Sequence, residues 1–176
     1  MTTLAKALGE TCAVSPLLRR ARMLGVRTLP ELLAVAVSRG CRHYAVPAGA
    51  EAVRDPGAEA ISDEELVVLL LLGEHAYEPM AVRCAAQLLG GDTIDAAKLV
   101  ALARKERCLR VLAYIADAGL GHDDKAPGFW RDLRERIGAV PSAPEGTLPH
   151  WTRFVALSGV QRHARRPTSV WLRPQR

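Results

Sequence analysis

A chain of 176 residues is long enough for one domain with a sizeable core, or one domain with a small appendage. Its 49% apolar and 24% charged residues are ordinary for a soluble globular protein, and no apolar run approaches the roughly 20 residues of a membrane-spanning helix. With only 5% aromatic residues the core has to be built from Leu, Val and Ala, which favours helices over sheets, and the net charge of +5 is carried at the two ends.

In chain order, a first helix is expected over about Thr2–Thr11, with Leu4, Ala5 and Leu8 at helical spacing. Ser15 followed by Pro16 is a start signal, an N-cap and then a proline at the first helical position. Leu17, Leu18, Ala21 and Leu24 share one face there, Arg19, Arg20 and Arg22 lie largely outside it, and Gly25 closes the helix. Thr28-Leu29-Pro30-Glu31 is a capping box that opens a helix running to Gly40. Arg42–Val46 reads as a short strand, and Pro47–Ala60, with Gly49, Pro56 and Gly57, as a loop or linker.

Ser62-Asp63-Glu64-Glu65 is a second capping box, with acids in the first turn where the helix dipole favours them. It launches Leu66–Leu72, seven consecutive apolar residues that leave no polar face and must be covered on nearly every side. This segment is expected to be the buried central helix, stopped by Gly73. A further helix runs from Pro79 to Gly90-Gly91, and Asp92 or Thr93 is expected to cap a long segment from Ile94 to Ala118, stopped by Gly119. Arg104-Lys105-Glu106-Arg107 spreads charge over slightly more than one turn of it. No Gly or Pro lies in this run, so one continuous helix with snorkelling side chains is favoured over two shorter helices meeting there.

Phe129, Trp130, Leu133 and Ile137 fit a short amphipathic helix ending at Gly138, and Pro141–Gly146 is a linker by composition. Beyond it, Trp151, Phe154 and Val155 stand at helical spacing, whereas Val160–Leu172 around Arg166-Pro167 suits a β-hairpin. The expected fold is mainly α: a single compact bundle of five to seven helices around the central helix, with a small hairpin near the C-terminus. Residues 1–138 form the helical domain in this reading, and residues 139–176 a basic extension packed on it. Helix pairs about thirty residues apart, near Glu64 and Ile94, suggest a solenoid repeat only weakly, since two units are too few for an array.

Catalytic motifs are missing. There is no phosphate loop, dinucleotide fingerprint or nucleophile elbow. Cys41-x-His43 is the only close Cys/His pair, with no second pair at a ligand-like spacing, and the four cysteines, Cys12, Cys41, Cys84 and Cys108, stand far apart with no Cys-x-x-Cys pair. No secretory leader precedes them, so reduced thiols in a cytoplasmic protein are expected. Glu74-His75 and His122-Asp123-Asp124 place histidine beside acids, and both read as helix ends or turn residues; they are the first suspects for an unrecognised active site. No cofactor and no metal is expected.

Charge gives the remaining lead. Residues 1–54 carry eight Lys/Arg against three acids, residues 55–130 seven against thirteen, and residues 131–176 nine arginines against three acids. Arg153, Arg162, Arg165, Arg166 and Arg173 alternate with Trp151, Phe154 and Trp171. Such a pattern serves nucleic acid when arginines neutralise phosphates and exposed aromatics stack on bases. It equally serves folding, when the aromatics anchor the segment to the bundle and the arginines are solvated. The first functional expectation is a non-enzymatic helical module that binds another protein. The alternative is a nucleic-acid-binding regulator using Arg153, Arg162, Arg165, Arg166, Arg173, Trp151 and Trp171; no membrane contact is expected.

Overall fold

The computed structural model of the chain describes residues 15–42, 59–157 and 169–175. Within them the protein is a bundle of seven α-helices closed by a two-stranded hairpin. The helices are α1 (Pro16–Met23), α2 (Leu29–Ser38), α3 (Asp63–Leu70), α4 (Pro79–Leu89), α5 (Ala96–Lys105), α6 (Leu109–His122) and α7 (Pro127–Ile137). Short 3-10 helices span Gly73–Tyr77 and Trp151–Arg153. Strands β1 (Val155–Leu157) and β2 (Ser169–Trp171) pair antiparallel, with Val155 opposite Trp171. The helix expected over Thr2–Thr11, residues 43–46 of the expected strand and most of the 47–60 linker lie outside the described residues.

The seven-residue apolar run is the centre of the bundle. Leu66–Leu70 are 0% exposed, and α3 packs against α1, α2, α4 and α5. A helix apolar all round is stable only when covered in this way. Both capping boxes form: Thr28 Oγ1 accepts from the Glu31 amide and Ser62 Oγ from the Glu65 amide, while each glutamate reaches back to its cap. The helix itself stops at Leu70, and Gly73, at φ +53°, turns the chain into the 3-10 helix.

Asp63 and Glu64 are buried at the start of α3 and carry its polar connections. Asp63 pairs with Arg39 at the end of α2 and accepts from the Thr93 hydroxyl at 2.6 Å. Glu64 pairs with Lys98 of α5 at 2.9 Å and accepts from the Ser62 hydroxyl and the Asp95 amide. Thr93 therefore does not cap the next helix. Asp95 does, accepting from the amides of Ala97 and Lys98.

The continuous helix expected over 94–118 is two helices. Glu106 ends α5, Arg107 takes φ +60°, and the Cys108 amide bonds back to Ala103 O at 3.0 Å while the Arg107 amide bonds to Arg104 O. This is the left-handed helix stop usually built on glycine. Gly25 and Gly40 make the same turn after α1 and α2. Arginine at that position hides the stop from a search for Gly or Pro.

Conversely, Gly119 does not stop a helix: α6 continues through it to His122. The glycine is there for Trp130 of α7, since a Cβ on residue 119 would lie 2.2 Å from the indole ring. In the C-terminal part, the helical spacing of Trp151, Phe154 and Val155 yields only one 3-10 turn, and β1 begins at Val155. Both Phe154 and Trp171 are buried in the common core.

Two outcomes test these assignments. Gly119→Ala raises helix propensity by about 1 kcal/mol, yet overpacking against Trp130 should win and lower stability by about 1–2 kcal/mol in urea unfolding. Burial alone would raise the Glu64 carboxyl, but hydrogen bonds from Lys98, Ser62 and the Asp95 amide outweigh it and bring it down to about 2. A carboxyl depressed by folding stabilises fully above its ordinary value of 4.5, and that contribution is lost as pH falls toward 2. Urea midpoints measured between those limits should fall with pH in the native chain and fall less in Glu64→Gln.

Candidate functional site

The C-terminal residues singled out by sequence part company in space. Trp171 is 2% exposed; its indole N–H donates to Ala86 O at 3.0 Å, and its ring lies 4.9 Å from that of Trp130 and 5.6 Å from Phe154. Neither indole face is offered to solvent. Arg173 donates from Nη2 to both oxygens of Asp123, at 2.9 and 3.0 Å, and Asp123 also accepts from the Trp130 indole at 2.8 Å. Asp123, expected in a turn, is thus a buried anion that ties α6, α7 and the C-terminal segment together. Trp151 is half-buried and stacks on His122, with ring centroids 3.5 Å apart and planes 11° apart. Arg153 is exposed beside it. Arg162, Arg165 and Arg166 lie outside the described residues.

The segment from Trp171 to Gln175 crosses the ends of α2 and α4 as an extended strap. Gln87 Nε2 donates to Arg173 O at 2.9 Å, and the Gln175 amide donates to Gly40 O at 3.1 Å. The approach needs glycine on the other side: a Cβ at Gly90 would lie 2.7 Å from the Trp171 ring, and one at Gly40 would lie 2.5 Å from Gln175 O.

His75 and His122 do not converge. His75 lies in the 3-10 helix after α3, whereas His122 ends α6. The fourteen-residue α6 places the two ends of that helix roughly 20 Å apart at 1.5 Å per residue. Among the described residues no three His, Cys, Asp or Glu side chains are grouped to hold a metal ion.

The surface does contain a cleft, of about 390 Å³, at the other end of α6. Its apolar lining comes from Leu71, Leu109, Val111, Val140 and Pro141, and Tyr77 stands at one side. Arg107 and Arg110 also line it, both exposed, and neither side chain has an ion-pair partner among the described residues. Three pieces of chain build this site: the end of α3 with the 3-10 helix, the left-handed joint between α5 and α6, and the segment after α7. Tyr114 holds the chain that follows Pro141 against α6 by donating to Pro149 O at 3.0 Å.

Electrostatically the cleft is positive. The first turn of α6 faces it, and that helix has no side chain capping its N-terminus. Cys108 lies buried at the joint, and burial pushes its thiol up to about 12, so it stays protonated near neutral pH. In the sequence the charged turn Arg104–Arg107 shows only as a break in the apolar pattern. The break was the signal, because a helix joint is where α5 and α6 part enough to leave a cleft.

Protein-family models, curated proteins and solved structures were each compared with the chain, and none matches it. No helix among the described residues is long and apolar enough to cross a membrane.

Removing the cation from the buried pair should be costly. Arg173→Met removes the cation beside Asp123, a carboxyl only 3% exposed in the native chain, and should lower stability by about 2–3 kcal/mol. Asp123→Asn keeps an acceptor for Trp130 and should lose less; urea unfolding of the two variants checks the order.

Proposed function

We propose that this chain is a non-enzymatic binding module that docks an acidic, apolar-anchored segment of a partner protein in the cleft between the 3-10 helix and the α5–α6 joint. One observation carries the reading. Two arginines with no ionic partner among the described residues flank an apolar floor, and one of them occupies a left-handed backbone position where glycine would fold more easily. An arginine held there at the expense of stability is accounted for by what its side chain does for a ligand. The apolar floor gives leucine- or phenylalanine-sized side chains a place to bury, and the arginines select carboxylates beside them. Opposite charge across such a surface contributes specificity and association rate more than raw affinity. The three described cysteines are free thiols, which suits a reducing compartment such as the cytoplasm.

The nucleic-acid reading is left with Trp151, Arg153, Arg162, Arg165 and Arg166, because Trp171 is buried and Arg173 is paired with Asp123. It becomes the outcome to test against.

A random twelve-residue peptide library displayed on phage and panned on the protein should enrich sequences that combine Asp or Glu with Leu or Phe. Binding of the enriched peptides should weaken at least tenfold in Arg110→Glu, and should fall steeply with salt. Arg107→Gly should bind less well too, while gaining about 0.5–1 kcal/mol of stability from the relieved backbone. Enrichment of peptides without acids, or binding indifferent to both variants, overturns the proposal. A salt-sensitive gel shift of a labelled twenty-nucleotide single strand, lost on replacing Arg162, Arg165 and Arg166 with Ala, would establish the nucleic-acid reading in its place.

A further inference from the structure

Two of the buried thiols face each other across the junction of α2 and α4. Cys41 follows the glycine turn that ends α2, and Cys84 lies in the middle of α4. Cys41 Sγ donates to the backbone carbonyl of Cys84 at 3.6 Å, which sets the two side chains side by side. The neighbouring Cys84 thiol, with burial behind it, pushes the Cys41 thiol up. Cys41 in turn draws the Cys84 thiol down, against burial and with help from Arg83. The pair is therefore asymmetric: Cys84 forms the thiolate more readily, and Cys41 keeps a proton to give.

We propose that Cys41 and Cys84 are a peroxide-responsive dithiol pair that closes to a disulfide joining the end of α2 to α4. The Cys84 thiolate attacks one oxygen of a hydroperoxide; the O–O bond breaks, and the leaving oxygen departs as water or an alcohol once it takes up the proton that Cys84 released. Cys84 is then a sulfenic acid. The Cys41 sulfur attacks the Cys84 sulfur, the S–O bond breaks as the S–S bond forms, and the Cys41 proton leaves with the oxygen as water. Two electrons pass from the two thiols to the peroxide, and no other reductant or oxidant is needed.

The placement of the pair gives the bond a structural consequence. Gln87, one helical turn beyond Cys84, accepts from the Arg42 amide at 3.0 Å and donates to Gly40 O at 3.4 Å and Arg173 O at 2.9 Å. The residues on either side of Cys41 are thus the ones that hold the C-terminal strap through Gln87 and Gln175. A disulfide beneath them fixes the strap's seat. Reduced, Cys41 is 2% exposed and Cys84 0%, so oxidation proceeds through a local opening that admits the hydroperoxide to Cys84.

The test treats the full-length protein with hydrogen peroxide and maps tryptic peptides without reduction. The expected product joins the peptide 40–42 to the peptide 84–98, with loss of two free thiols. Its melting temperature should rise by roughly 5–10 °C and return on reduction with dithiothreitol. In Cys41→Ala the reaction should stop at the Cys84 sulfenic acid, which dimedone traps. Thiols that remain free in folded protein, or a disulfide that uses Cys12 or Cys108 instead, overturn the proposal. The mapping on the native chain decides the matter even if Cys41→Ala fails to fold.

Discussion

Everything in this fold is arranged around a helix with no face to spare. Leu66–Leu72 offer solvent nothing polar, so four other helices have to surround α3, and its contacts with the rest of the chain are almost wholly non-directional. Apolar burial of that kind fixes an amount of coverage but not an orientation. Orientation comes from the one polar end. Asp63 and Glu64, drawn in with the first turn, reach Arg39 of α2, Thr93, and Lys98 of α5, while Glu65 beside them pairs with Arg20 of α1. A greasy rod is held in rotation and register by these acid-bearing bonds at its base.

Where local chemistry decides structure, the residues could be read directly. Ser15-Pro16, Thr28–Glu31 and Ser62–Glu65 each announce a helix start through hydrogen bonds made within four residues, and each start is found. The failures share a cause. Arg107 adopts a glycine conformation because α6 must leave α5 in a new direction, and nothing in its neighbours along the chain reports that. Gly119 is a glycine because Trp130, eleven residues on, needs the space, so its meaning lies in a contact and not in a turn. Thr93 was a plausible cap until Asp63, thirty residues earlier, took its hydroxyl, leaving Asp95 to do the capping.

The candidate sites divide in the same way. Composition identified an arginine- and tryptophan-rich C-terminal segment, but only the fold assigns Trp171 to the interior and Arg173 to Asp123. A buried aspartate cannot be told from a turn aspartate by its neighbours Asp124 and Lys125. The cleft was less legible still. It is assembled from three distant stretches, and its two arginines were visible in sequence only as an interruption of an apolar stripe.

The bond between Trp171 and Ala86 spans 85 residues of chain. A ribosome that adds about 5–20 residues per second takes roughly 4–17 s to travel that distance. In the later part of that interval, once α7 has been made, the hollow between α4 and α7 lacks the side chain that fills it, and Asp123 lacks its cation. Helix formation and nonspecific collapse are complete within microseconds to about 0.1 ms, so the nascent bundle has to wait with an unfinished interior. The strap is therefore a timing element as well as a packing one: the core enclosed by α4, α6 and α7 is completed only once Trp171 and Arg173 have been added.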